Sequence, residues 1–329
     1  MKDYIYPLAL ALIFLPQLLL GQVKIIFDTD FGGDADDLGA LAMLHNFMER
    51  DECELLAVMC WNLEEYAVSA IDAVNQYYGH GDIPIASRQG EHSPIDWNHS
   101  KVLVDHFPHK RHWSNVPPTT ALYRQLLSQA SDQEIVIVTV GPLANVLYLL
   151  ESPGDSISPL TGIELVQQKV KEFVIMGGQF PSGDSEWNFN GNMPGVTQKV
   201  VAQIPVPITF SGYEIGLNIK SGEVFNDLAP DTPLHAAFLH FSKHAPWLNH
   251  QFKGKIYDNS TYDQTAILYA VRNGEGLYWE KVEGGYCLPD ETGGNEWIQD
   301  KDSQHSYLRL LKDEEEMASI IEAFMINDF

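Results

Sequence analysis

Positive charge is scarce in this chain. Only 20 Lys and Arg stand against 45 Asp and Glu in 329 residues, a formal net charge of −25. A nucleic-acid binder needs basic stripes to neutralise phosphates, so that class of partner is excluded. An anionic membrane surface is disfavoured on the same ground. Cysteine is scarcer still. Cys53, Cys60 and Cys287 cannot make a disulfide framework and contain no Cys-x-x-Cys zinc pattern. Burial as small hydrophobic groups is their expected fate, with at most one bridge. Repeats and low-complexity tracts are missing altogether. The chain opens on an apolar stretch, Tyr4–Leu20, which Pro7 and Pro16 break and which ends Leu19-Leu20-Gly21-Gln22. Residues 1–21 are expected to be a secretory signal peptide cleaved after Gly21. The protein would then be exported, periplasmic or secreted, with no stable membrane association after cleavage. The two prolines argue against a retained span, and no cysteine follows for a lipid anchor.

What is present has a regular plan. Apolar, β-branched runs recur at Val23–Thr29, Leu55–Cys60, Ile135–Val140, Phe173–Met176 and Pro207–Ser211. Helical patterns such as Tyr66–Tyr78 and Leu143–Leu150 fall between them. Continuous apolar strands alternating with helices predict an α/β fold: a mainly parallel, doubly wound open sheet with helices on both faces. Ligands in such folds sit beyond the carboxyl ends of the strands. Residues 22–329 read as a single domain with insertions near 91–118 and 279–297. The first insertion is rich in Pro and His and is expected to form a rim or lid. The second has hairpin-like spacing of Tyr, Trp, Gly and Pro. Near the end, Asp313 can cap a helix whose buried stripe is Met317, Ile320, Ile321 and Phe324.

The chemistry concentrates at strand ends. Between Phe27 and Asp37 the sequence reads FDTDFGGDADD, five aspartates with no cation among them. Crowded carboxylates repel, raise one another's pKa or bind a cation, and hard oxygen donors favour calcium or magnesium. Asp36 as a plain helix cap and Asp28 as a turn acceptor are the bland alternatives, but capping needs one carboxylate rather than five. Further on, Gly141-Pro142 after the third run exposes main-chain carbonyls. Glu186-Trp187-Asn188-Phe189-Asn190 offers donors, acceptors and an aromatic face suited to a sugar, or a merely polar loop. Asp263 opens one more helical pattern, where an N-cap is the simplest reading of it alone.

Taken in order, DTDFGGDADDLGAL, VTVGPLAN, VIMGG…SEWN and YDQTAILYAV resemble the nucleoside hydrolase family of the inosine-uridine-preferring type and its bacterial relatives. The resemblance runs from Lys24 to Val271. It implies Ca2+-dependent cleavage of an N-glycosidic bond in a ribonucleoside or related ribosyl compound. Asp30 would ligate calcium and act as base toward water. Asp37, Asp263 and the carbonyl of Val140 would complete the metal site. Asp36 would bind a ribose hydroxyl, and Glu186 and Asn188 the sugar's far end. Asn62, Trp187 and Tyr262 would also meet substrate. Two departures stand out. Gly33, Asp34 and Ala35 lengthen the first turn, and Tyr262 stands where the family carries a histidine that protonates the departing base. A phenol is a poorer acid at neutral pH, with an ordinary pKa of about 10. The five histidines of the 91–118 insertion are candidates for a replacement.

Two other readings remain at this level. Asp28-Thr29-Asp30 after a strand also fits a haloacid-dehalogenase-type phosphatase with Asp28 as nucleophile, although the surrounding aspartates would repel phosphate. Tyr262 also allows an inactive homologue that binds sugar or calcium without turnover. The sequence leaves a homo-oligomer open.

Overall fold

Strands apolar on both sides must be covered on both sides, and that requirement sets the architecture. The computed structural model describes residues 21–328, so the expected signal peptide lies outside the described residues except for Gly21. Among the described residues there are twelve strands: β1 (Val23–Thr29), β2 (Cys53–Cys60), β3 (Ile85–Ser87), β4 (Ile135–Thr139), β5 (Val170–Met176) and β6 (Ser182–Gly183). They continue with β7 (Ile208–Ser211), β8 (Lys220–Ser221), β9 (Asn259–Ser260), β10 (Trp279–Pro289), β11 (Asn295–Gln299) and β12 (His305–Leu310). All but β8 and β9, which pair apart, join one 10-stranded sheet in the order β3-β2-β1-β4-β5-β7-β12-β10-β11-β6. Every neighbour from β3 to β12 is parallel, and the last three strands turn antiparallel. The sheet is therefore mainly parallel, as the apolar runs predict.

The helices are α1 (Asp36–Glu49), α2 (Ala67–Tyr77), α3 (Ser100–His106), α4 (Thr119–Gln129), α5 (Ala144–Leu150) and α6 (Gly162–Lys169). After them come α7 (Trp187–Asn190), α8 (Val196–Gln203), α9 (Tyr213–Asn218), α10 (Pro233–His244), α11 (Asp263–Arg272) and α12 (Glu314–Ile326). Side chains alternate along β1: Ile25 and Phe27 enter one core with α1, α2, α10, α11 and α12, while Ile26 enters another with α4, α5, α6 and α8. The period-two pleat thus feeds helix layers on both faces. Among the described residues no helix is long and apolar enough to cross a membrane. Cys53, Cys60 and Cys287 are all free and buried.

Chain direction decides where the cleft opens. From β1 the chain winds outward through β2 and β3, then returns to β4 on the other side of β1. The crossovers diverge there, leaving a crevice beyond the carboxyl ends of β1 and β4. Both insertions are woven into the molecule. Residues of the 91–118 stretch form α3, and Leu103 is fully buried in the core. The 279–297 stretch does make an antiparallel pair, β10 with β11. That pair continues the main sheet through β12.

Candidate active site

The aspartate turn lies in that crevice. Gly32 has φ +115°, a conformation that side-chain-bearing residues rarely adopt, and it reverses the chain between Asp30 and Asp34. Asp36 and Asp37 then occupy the first turn of α1, and Asp263 opens α11, which packs against α1. Gly216 of α9 allows a close approach beside them: a Cβ there would lie 2.6 Å from Tyr262 Cα. As a result, carboxylate oxygens of Asp36, Asp37 and Asp263 all come within 4.8 Å of one another, each buried.

The charges bearing on this group are those of neighbouring carboxylates, Asp30 and Asp34 as well as one another. Burial, then mutual repulsion, holds the carboxyls of Asp36, Asp37 and Asp263 well above their ordinary value of 3.8. Burial raises Asp30 to about 6 and Asp34 to about 7. Local hydrogen bonds only partly compensate. Thr29 donates its hydroxyl to Asp37. Asp36 accepts the amides of Tyr262 (3.2 Å) and Asp263 (3.4 Å), so it also caps α11. Three converging hard oxygens with unrelieved repulsion are the donor set of a divalent cation such as calcium or magnesium, and the residues fit one.

Asp30 and Val140 are placed differently. Asp30 is absent from the group of three and accepts the Trp187 indole N–H at 2.8 Å. The Val140 carbonyl accepts Asn188 Nδ2 at 3.0 Å. Each accepts one side-chain hydrogen bond and keeps a further oxygen or lone pair free to face a metal.

The ten residues to which the resemblance gives a role all line one cavity of about 890 Å³: Asp30, Asp36, Asp37, Asn62, Val140, Glu186, Trp187, Asn188, Tyr262 and Asp263. Two of them are occupied in holding backbone. Glu186 caps α7, accepting Asn188 N at 2.9 Å on one oxygen and Gly178 N and Phe189 N, each at 3.0 Å, on the other. Its carboxyl is still pushed up to about 7, by burial first. Asn62 donates to the carbonyls of Asp30 (3.0 Å) and Phe31 (3.3 Å), stapling the end of β2 to the aspartate turn. Trp187 is 51% exposed and lies over the cavity with its N–H on Asp30.

Several wall residues escape a sequence reading. Trp61, Arg88, Trp97, Tyr213 and Trp247 all line the cavity. Trp61 directly follows a strand end, a signal that could have found it. Trp97 and Trp247 meet edge-on at 5.9 Å from distant loops and carry no local signal. The insertion supplies no histidine to the wall: among the described residues the cavity lining contains none. His99 is wholly buried beside Phe31, and burial lowers its pKa to about 3. Asp28, the nucleophile of the phosphatase reading, is buried and outside the lining. Its two oxygens accept from Tyr123 Oη (2.7 Å) and Asn145 Nδ2 (2.9 Å).

Among curated proteins no sequence matches. Among solved structures the chain is similar to a plant nucleoside hydrolase, PpNRh1, with TM-score 0.65 and 18% identity over 92% of this chain and 98% of that one. It is also similar to the purine-preferring ribonucleoside hydrolase from Gardnerella vaginalis (TM-score 0.64, 14% identity, 92% and 98% covered). A third is the type III effector protein XopQ (TM-score 0.63, 13% identity, 95% and 94% covered). Identities this low speak for a shared fold. The family pattern described as inosine-uridine preferring nucleoside hydrolase matches residues 25–318, nearly the whole chain. The chain therefore belongs to the inosine-uridine preferring nucleoside hydrolase family, glycosidases that act on N-glycosyl compounds.

Proposed function

We propose that this protein hydrolyses the N-glycosidic bond of a ribonucleoside or related ribosyl compound with calcium as its cofactor. The observation that carries this reading is the convergence of Asp36, Asp37 and Asp263 on the wall of a cavity that also presents Trp187 and Asn188. Asp37 and Asp263 would hold the ion, with Asp36 beside them for a ribose hydroxyl. Asp30 and the Val140 carbonyl would join them, with Trp187 and Asn188 beside them for the sugar. Bound calcium supplies positive charge that acidifies water and orients a sugar diol. Asp30 takes the proton of the water that adds to C1′ as the C–N bond breaks. The remaining carboxylates stabilise positive charge growing on the ring. Glu186 and Asn62 act as positioning residues, since their hydrogen bonds hold α7 and the aspartate turn. This scheme differs from the two-carboxylate glycosidase arrangement, which needs no metal.

XopQ is described in complex with adenosine diphosphate ribose, which supports keeping the substrate class as wide as ribosyl compounds. The expected localisation remains outside the cytoplasm, on the sequence of the first segment alone. The test is ribose release from a panel of nucleosides and 4-nitrophenyl riboside. Release that a chelator abolishes and calcium restores is the expected result. No ribose from any substrate with calcium present would contradict the reading.

A further inference from the structure

We infer that the compound cleaved here carries its positive charge on the leaving nitrogen: a cationic N-riboside, such as a ribosylpyridinium, in place of a neutral nucleoside. This rests on the hydrolase reading above and narrows it to a substrate class. A neutral purine or pyrimidine departs as an anion unless something protonates it. Among the described residues, the cavity lining holds no histidine, lysine or cysteine to do so. Arg88 keeps its proton under all ordinary conditions. Two lining carboxyls are tied to the fold: Asp34 accepts Asn259 Nδ2 and the Ala35 amide, each at 2.6 Å, on one oxygen, and both oxygens of Glu186 accept backbone amides. The Tyr213 and Tyr262 rings are stacked on each other, centroids 5.1 Å apart. A ribosylpyridinium needs no acid. Water forms its bond to C1′ and yields a proton to Asp30. The C1′–N bond breaks with its electron pair going to the ring nitrogen, and a neutral pyridine leaves beside ribose.

Two further features select for a cation. Asp30, Asp34, Asp36, Asp37, Glu186 and Asp263 line the cavity against the single guanidinium of Arg88, so negative charge stays in excess even with a divalent ion seated. Indole faces attract cations. Arg88 already covers the Trp61 ring at 3.9 Å, which leaves Trp97, Trp187 and Trp247 for the substrate. Trp187 and Trp247 are each about half exposed.

The experiment compares kcat/KM of the full chain, with calcium supplied, on N-ribosylnicotinamide, inosine, uridine and 4-nitrophenyl riboside. N-ribosylnicotinamide should exceed inosine and uridine by at least 100-fold. Comparable or faster cleavage of inosine or uridine would overturn the inference and leave the hydrolase reading standing. Failure on all four would overturn both. A second measurement reads binding alone through tryptophan fluorescence. N-methylnicotinamide cation should quench at concentrations at least tenfold below neutral nicotinamide, and Trp247→Ala should erase most of that difference. Equal affinities for the two would contradict the charge argument.

Discussion

Five aspartates in ten positions do different work, and their partners separate the roles. Asp28 is a buried anchor between Tyr123 and Asn145. Asp34 ties the turn to Asn259, while Asp36, Asp37 and Asp263 converge. Asp37→Ala should lower calcium affinity roughly 100-fold or more, beyond the roughly 10–100-fold typical of outer partners. Unchanged affinity by titration calorimetry would remove Asp37 from the metal site. Tyr123→Phe strips one donor from a buried carboxyl and should cost about 1–3 kcal/mol in urea unfolding. No change there would mean that Asp28 finds another donor. Tyr262→His places an imidazole beside Asp263 and should raise kcat on inosine at least tenfold, read by ribose release. An unaltered inosine rate would show that the missing proton does not limit turnover. The aspartate cluster was legible because a helix cap explains one carboxylate and not five. Trp97 and Trp247 were not, because a lone aromatic in a loop reads the same on a surface as in a binding wall. The engagement of Glu186 and Asn62 with backbone was equally hidden, since a carboxylate suited to a sugar is also suited to amides.

At the scale of elements, the site depends on how closely α1, α9 and α11 approach. Gly216 lets α9 sit against the backbone of Thr261 and Tyr262, the residues that lead into Asp263. Gly216→Ala should displace Asp263 from Asp36 and Asp37 and weaken calcium binding about tenfold or more, with helix content by circular dichroism preserved, since packing faults of this kind are local. Calcium affinity equal to the parent's would show that the helices can shift without moving the carboxylate. The core strands were readable because burial on both faces demands unbroken apolar runs. β1 spans Val23–Thr29 as expected, and β2 and β5 begin a few residues earlier than their apolar runs, at Cys53 and Val170. β12 was not readable: His305–Leu310 is half polar, and what makes it a strand is pairing with β7 and β10. Tertiary pairing also makes 279–297, an insertion with hairpin-like spacing, the sheet's continuation.

At the scale of the molecule, acidic groups are gathered where the fold is most buried, so stability is linked to pH and, on the proposed function, to calcium. Asp28, Asp30, Asp34 and Glu186 hold protons up to about 7, 6, 7 and 7, against ordinary values of 3.8 for Asp and 4.5 for Glu. Asp36, Asp37 and Asp263 are also raised well above 3.8, while the buried imidazoles of His45, His99, His240 and His305, lowered by burial to about 3, 3, 4 and 4, oppose the carboxyls below about pH 6.5. The seven carboxyls outnumber the four imidazoles, so between roughly pH 4 and 7 the folded chain binds more protons than the unfolded one, and unfolding free energy falls as pH rises. The chelated protein should melt at a lower temperature at pH 7 than at pH 5, and calcium should restore the loss at pH 7. Calorimetric scans showing the chelated form most stable at pH 7 would contradict this.

The most direct measurement is a crystal structure of the protein soaked with calcium and ribose. An ion coordinated by oxygens of both Asp37 and Asp263 at about 2.3–2.6 Å, with ribose hydroxyls beside it, is the predicted result. Calcium seated elsewhere, or those two carboxylates left apart with the ion at saturating concentration, would contradict it.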